Sequence, residues 1–131
     1  MNNKIKIGIV GYGNLGRGVE SAVTRSSDME LVALLTRRDP ATVKTATNIP
    51  TYGMDAAASL VGKVDVMILC GGSATDLPEQ TPAMAAHFNV IDSFDTHANI
   101  PQHFTAVDAA ASASGKVAII SVGWDPGMFS V

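Results

Sequence analysis

Apolar residues fall along this chain in short dense blocks, separated by stretches where they recur at helical spacing. Ile5 to Val10 is one such block, a short β-strand that ends in a cluster of glycines. Beyond the glycines, Leu15, Val19, Ala22 and Val23 repeat every three or four residues, which predicts one apolar face of a helix broken at Ser26-Ser27-Asp28. Glu30 to Thr36 is a second strand of continuous apolar character, the pattern of a strand covered on both faces. Arg37 to Pro50 is polar and Thr-rich and reads as loop with a helical turn. A short third strand is placed at Thr51-Tyr52, and a small Ala-rich helix over Asp55 to Val61. Val64 to Cys70 is the fourth strand, and Gly71-Gly72-Ser73 turns the chain. Thr81 to Phe88 reads as a helix with Pro82 at an early position. Val90 to Phe94 is the fifth strand, Ile100 to Ser114 an amphipathic helix stopped by Gly115, and Val117 to Val122 the sixth strand.

Strands that alternate with helices build right-handed βαβ units and a parallel sheet. The expected architecture is α/β: a Rossmann-type, doubly wound, three-layer αβα domain over residues 1–131 with strand order 3-2-1-4-5-6. Composition agrees. Hydrophobic residues make up 47% and charged residues 16%, a balance that supports a packed core rather than disorder. The net charge of −3, with no basic run longer than Arg37-Arg38, argues against nucleic acid as a partner. No apolar run approaches the roughly 20 residues of a membrane span. A single cysteine excludes an internal disulfide, and with no signal-peptide pattern at the start the expected location is cytoplasmic.

Gly11-Tyr12-Gly13-Asn14-Leu15-Gly16 matches G-x-G-x-x-G. Alone that pattern is weak; at the end of a strand, opening a helix, it marks a dinucleotide site. Gly11 allows the tight turn, Gly13 lets backbone approach a pyrophosphate, and Gly16 lets helix and strand pack closely. The positive helix end then faces the phosphates. An NAD-binding fold usually carries Asp or Glu about 20 residues further on, to hold the ribose hydroxyls. Here that place is taken by Thr36, Arg37 and Arg38. Guanidinium groups suit an adenosine 2′-phosphate, which a carboxylate would repel. The expected cofactor is NADP(H). Asp39 complicates this reading, since it could neutralise an arginine.

Cys70-Gly71-Gly72-Ser73-Ala74-Thr75 follows the fourth strand, near the switch point where open α/β sheets bind ligands. Small residues there would let ribose and nicotinamide lie against the backbone. Cys70 itself reads as a packed thiol, with no cation beside it in sequence to make it a nucleophile. Asp92 and Asp95 end the fifth strand, and Trp124-Asp125 follow the sixth. All should emerge on the nicotinamide edge, where acids could hold a substrate ammonium or serve as turn and capping residues; residue type alone leaves both open. His87, His97 and His103 lack metal-ligand spacing, and His87 and His103 are expected on helix surfaces.

Taken together, Val10 to Arg17, Thr36-Arg37-Arg38, Cys70 to Asp76, Asp92 to His97 and Gly123 to Ser130 resemble the meso-diaminopimelate dehydrogenase family. The Ser-Ala-Thr-Asp and Trp-Asp-Pro-Gly-Met-Phe-Ser stretches are its more specific signatures. The resemblance implies a reversible, NADP-dependent oxidative deamination at the D-centre of meso-diaminopimelate, giving L-2-amino-6-oxopimelate and ammonia, in lysine and cell-wall precursor synthesis. It implies Asp95 and Asp125 around the reacting amino group and Trp124 along the pocket. Cofactor contacts would come from Gly11, Gly13, Asn14, Leu15, Gly16, Thr36, Arg37, Arg38, Cys70, Gly71, Ser73, Ala74, Thr75 and Asp92. Family members are homodimers more than twice as long, with a substrate and dimerisation domain. This chain is therefore expected to bind NADP(H) without turnover, ending within a helix begun at Pro126. Two other readings stay open: an NADP-dependent reductase acting on a sugar, semialdehyde or cyclic imine, and a non-catalytic NADP(H)-sensing module.

Overall fold

The computed structural model describes residues 4–72, 75–94 and 96–122. Six parallel strands form one sheet: β1 (Ile5–Val10), β2 (Met29–Thr36), β3 (Thr51–Gly53), β4 (Val66–Leu69), β5 (Asn89–Asp92) and β6 (Ala118–Ile119). Their order is β3-β2-β1-β4-β5-β6, as the alternating pattern predicts. Three helices connect them: α1 (Asn14–Thr24), α2 (Leu77–Ala85) and α3 (Ile100–Ser114). Short 3-10 segments cover Pro40–Thr42, Met54–Leu60 and His97–Asn99.

Side chains alternate across the sheet, so neighbouring residues on a strand serve different cores. Val10, Leu35, Met67, Leu69 and Val90 point toward α2 and α3, where they meet Leu77, Met84, Ala85, Val107 and Ala111. Ile9 and Leu34 point the other way, toward Val19 of α1 and toward Tyr12 and Ile49. Helices thus lie on both faces, giving three layers. The α1 side of β4, β5 and β6 is less well covered: Val66, Ile68 and Ile91 are half-buried and Ile119 is exposed.

Four expectations need correction. Helix α2 begins at Leu77, four residues before the expected Thr81, and its opening proline is Pro78, while Pro82 sits inside it. The early start follows from Asp76 and Leu77, whose amides both donate to the Gly72 carbonyl and wind the chain at once. The sixth strand shrinks to two residues, because Ser121 adopts a positive φ of 60° and breaks the extended run. On α1, Leu15 and Ala22 are exposed, whereas Gly16, Glu20 and Val23 are buried. The inward face therefore includes a carboxylate that hydropathy would send to solvent. His103 is also buried, because Asp92 draws it inward. The third strand and the α3 boundaries follow the sequence pattern closely; Gly115 ends α3 at φ 71°. The helix expected to begin at Pro126 lies outside the described residues.

Candidate dinucleotide site

Strand β1 delivers the chain to the middle of the sheet, and Gly11 turns it with φ 91° while its amide donates to the Leu35 carbonyl. That conformation favours glycine strongly. Gly13 then caps α1 with no side-chain hydrogen bond, so the first amides of the helix are left for an outside acceptor. A Cβ at Gly13 would meet nothing within 4 Å. One at Gly16 would come within 2.4 Å of the Gly11 carbonyl oxygen. The two glycines thus do separate jobs, one leaving room outside the protein and the other permitting contact within it.

A cleft of about 550 Å³ opens beside this turn, lined by Gly11, Tyr12, Gly13 and Arg17 together with Thr36, Arg37, Arg38 and Cys70-Gly71-Gly72. Thr36 is 3% exposed, and its hydroxyl accepts from the Arg38 amide at 3.1 Å. Its role is to fix the arginine backbone. Arg38 reaches across to donate from Nη2 to the Tyr12 carbonyl at 3.0 Å, which ties the end of β2 to the glycine turn. Arg37 lies on the other side, with Nη2 2.7 Å from Asp76 Oδ1. That carboxyl oxygen has no aligned hydrogen bond, so the contact is one of opposite charges. Asp39 turns away, accepting from the Ala41 amide to cap the 3-10 segment after it.

A second cleft of about 520 Å³ adjoins the first and shares Arg37, Met54, Asp76 and Gln80 with it. Its far wall is apolar, with Ala57, Ala83 and Met84. Gln80 Oε1 is buried at this junction without a partner among the described residues. A buried acceptor left unpaired is costly unless a donor reaches it. Together the two clefts offer free helix amides and guanidinium groups at one end, and an apolar slot with a waiting acceptor at the other. This donor set fits a phosphorylated dinucleotide.

Several contributors escape sequence reasoning. Glu20, 2% exposed, accepts from the Tyr12 hydroxyl on one oxygen. Its other oxygen accepts from the Thr47 amide at 2.9 Å and the Thr47 hydroxyl at 2.6 Å. The Ala46 amide also donates to the Tyr12 hydroxyl, and Arg17 lies 5.7 Å from the Tyr12 ring centre. Burial alone would push the Glu20 carboxyl up, but the hydrogen bonds from Thr47 and Tyr12 outweigh it and hold the group below its ordinary value. Tyr12 moves the opposite way, raised first by its bond to Glu20 and then by burial. The one signal in the sequence is that Glu20 stands four residues after Gly16, on the same helix face.

Cys70 ends beside β4 with its amide donating to the Val10 carbonyl. Burial pushes its thiol up to about 12, which fits a packing role and not a nucleophile. Asp92, expected among the cofactor contacts, is 1% exposed and fully engaged by protein groups. Oδ1 accepts from the amides of Phe94 and Ser121, and Oδ2 from the Thr81 hydroxyl, with His103 Nε2 2.6 Å away. In this structure it braces β5 against α2, α3 and the end of β6. Thr75 is exposed and lines the second cleft; Asn14 and Leu15 are exposed on the first turn of α1. Ser73, Ala74, Asp95, Trp124 and Asp125 lie outside the described residues. Among the described residues no helix is long and apolar enough to cross a membrane, and no group of His, Cys, Asp and Glu could hold a metal ion.

No protein-family model matches the chain. Five curated relatives do, each named meso-diaminopimelate D-dehydrogenase. The one from Ureibacillus thermosphaericus is 67% identical over 129 residues, covering 98% of this chain and 40% of the relative. The one from Corynebacterium glutamicum is 46% identical over 127 residues, covering 97% and 38%. Among solved structures, an engineered D-amino acid dehydrogenase bound to NADP+ superposes with a TM-score of 0.92 at 44% identity, over 98% of this chain and 39% of that one. The C. glutamicum DAP dehydrogenase in complex with DAP gives 0.89 at 45% identity, over 99% and 39%. Homoserine dehydrogenase of S. aureus, 14% identical with a TM-score of 0.67, shares the fold alone. The chain spans about two fifths of the length of the curated relatives it matches.

Proposed function

We propose that this chain is the NADP-binding portion of a meso-diaminopimelate D-dehydrogenase, and that the protein it serves carries out reversible oxidative deamination at the D-centre of meso-2,6-diaminopimelate. The observation that carries the cofactor half of this reading is the arginine pair at the end of β2, where an acid usually stands: Arg38 reaches the glycine turn, Arg37 lines the cleft beside Asp76, and Asp39 is turned away. The substrate half rests on high identity to relatives of that name along the whole chain.

Each chain residue has a task in such a site. The free amides at the start of α1 receive the pyrophosphate, and the missing Cβ of Gly13 leaves room for it. Arg37 and Arg38 face the 2′-phosphate, with Thr36 holding the second of them in register. Met54, Ala57 and Ala83 offer the apolar slot for the adenine, where the Gln80 acceptor would meet an amino group. Cys70, Gly71 and Gly72 present small surfaces toward the nicotinamide end, continued by Ser73, Ala74 and Thr75. The bound nicotinamide supplies the hydride acceptor. Asp95 and Asp125 would hold the D-amino group, and Trp124 would wall the pocket; orientation and exclusion of water are what the protein adds. Homodimerisation belongs to the whole protein in this reading.

Two measurements test it. Calorimetry on this chain should show NADPH bound at least about tenfold more tightly than NADH, and replacing Arg37 and Arg38 by Ala should abolish the difference. A chimera in which this chain replaces the matching segment of the Ureibacillus relative should oxidise meso-diaminopimelate with NADP+. A soluble chimera that binds NADPH yet leaves that substrate untouched would remove the substrate assignment.

A further inference from the structure

We propose that Glu20 is a positioning residue for 2′-phosphate recognition: through Tyr12 and Thr47 it locks together the glycine turn and the loop that carries the arginine pair. The inference deepens the NADP reading and rests on it. The burial of Glu20 and its partners point the same way. Glu20 is buried on the sheet side of α1, where its neighbours in the helix are Gly16 and Val23, and a carboxylate is costly in such a place unless its oxygens are satisfied. They are satisfied by groups from two other segments, Tyr12 in the glycine turn and Thr47 in the loop after the arginines.

Tyr12 is the hinge of the arrangement. Its hydroxyl donates to Glu20 and accepts from the Ala46 amide, while its backbone carbonyl accepts from Arg38 Nη2 at 3.0 Å. Residues 36–47 are therefore anchored at both ends to the turn that would receive the pyrophosphate. At the near end Thr36 and the Tyr12 carbonyl hold Arg38; at the far end Glu20 and the Tyr12 hydroxyl hold Ala46 and Thr47. Between these anchors the segment is polar and mostly exposed, with only the turn at Pro40–Thr42 as regular structure. Without Glu20 its far end would lose both Thr47 bonds and its Tyr12 support would be free to turn. The guanidinium of Arg38 would then no longer be fixed in advance, and ordering it would weaken binding of the 2′-phosphate. NADH, which lacks that phosphate, would gain nothing from the arrangement and lose little with it.

The test is calorimetry of NADPH and NADH on the chain and on its Glu20→Gln and Tyr12→Phe variants. Glu20→Gln keeps the shape but places an amide against the Thr47 or Tyr12 donors; Tyr12→Phe removes one hydroxyl and leaves the ring. Each is expected to weaken NADPH by about fivefold to tenfold and NADH by less than about twofold, the scale of lost charge-assisted hydrogen bonds. In an Arg38→Ala background, Glu20→Gln should have little further effect on NADPH, since the group being positioned is gone. Parallel weakening of both dinucleotides, or full additivity with Arg38→Ala, would reduce Glu20 to a structural residue and overturn the proposal. A wild-type preference for NADPH untouched by both variants would overturn it as well while leaving the cofactor reading intact. A wild-type chain with no preference would overturn the cofactor reading and this inference with it.

Discussion

At the scale of single residues, the glycine turn separates folding from binding. Gly13 has a negative φ of −102° and open space where a Cβ would stand, so alanine is tolerated by the protein itself. Gly16 has no such space, because the Gly11 carbonyl would be 2.4 Å away. Gly13→Ala should cost less than about 1 kcal/mol of stability, the scale of a change in helix cap. Its dinucleotide affinity should nonetheless fall sharply, as the methyl occupies the approach of the pyrophosphate. Gly16→Ala should cost about 1–3 kcal/mol, as backbone is forced to shift. Thermal melts paired with NADPH titration distinguish the two: a Gly13→Ala variant that binds normally would show that the phosphate lies elsewhere.

At the scale of elements, one buried carboxylate joins the second half of the sheet to its helices. Asp92 closes β5 and receives groups from α2, α3, the chain after β5 and the end of β6, and the ring of His103 stacks on Phe94 at 4.0 Å. Removing it leaves several buried donors without an acceptor. Asp92→Ala should destabilise the fold by about 3 kcal/mol or more, since each orphaned partner carries its own desolvation cost. A drop in Tm of about 10 °C is the corresponding readout for a domain of this size. A change under about 2 °C would mean the node is dispensable. This node also shows where sequence reading stopped. Asp92 was legible as an acid at the end of a strand, and His103 as a polar residue on an amphipathic helix. That each is the other's partner depends on packing α3 over β5, which no local pattern states.

Across the whole molecule, net charge works against the ligand while the cleft works for it. The chain carries a net −3, so its overall charge opposes an anionic dinucleotide. Arg17, Arg37 and Arg38 gather at the cleft and reverse the sign there. Arg37 is largely exposed, so much of its attraction is open to screening, with a Debye length of about 10 Å at 0.1 M salt. The preference for NADPH over NADH should therefore shrink several-fold between about 0.05 and 0.5 M salt, as titrations at each ionic strength would show. A preference indifferent to salt would point to shape and not charge as its source.

The sequence by itself determined the order of strands and helices, the parallel sheet, the site of the glycine turn and the arginines where an acid usually stands. Those features are local: they depend on residue spacing within one element and on the backbone freedom of glycine. Only the tertiary structure decided that Glu20 turns inward, that Thr36 spends its hydroxyl on Arg38, that α2 starts early, and that Asp92 is walled in by its own chain. The Thr36 bond and the α2 start are short-range choices of hydrogen-bond partner. Glu20 with Thr47 and Asp92 with Ser121 instead pair residues 27 and 29 apart, and a buried polar group goes where a partner waits for it. Hydropathy measures the cost of burying such a group alone, so it misplaces each one whose partner comes from another element.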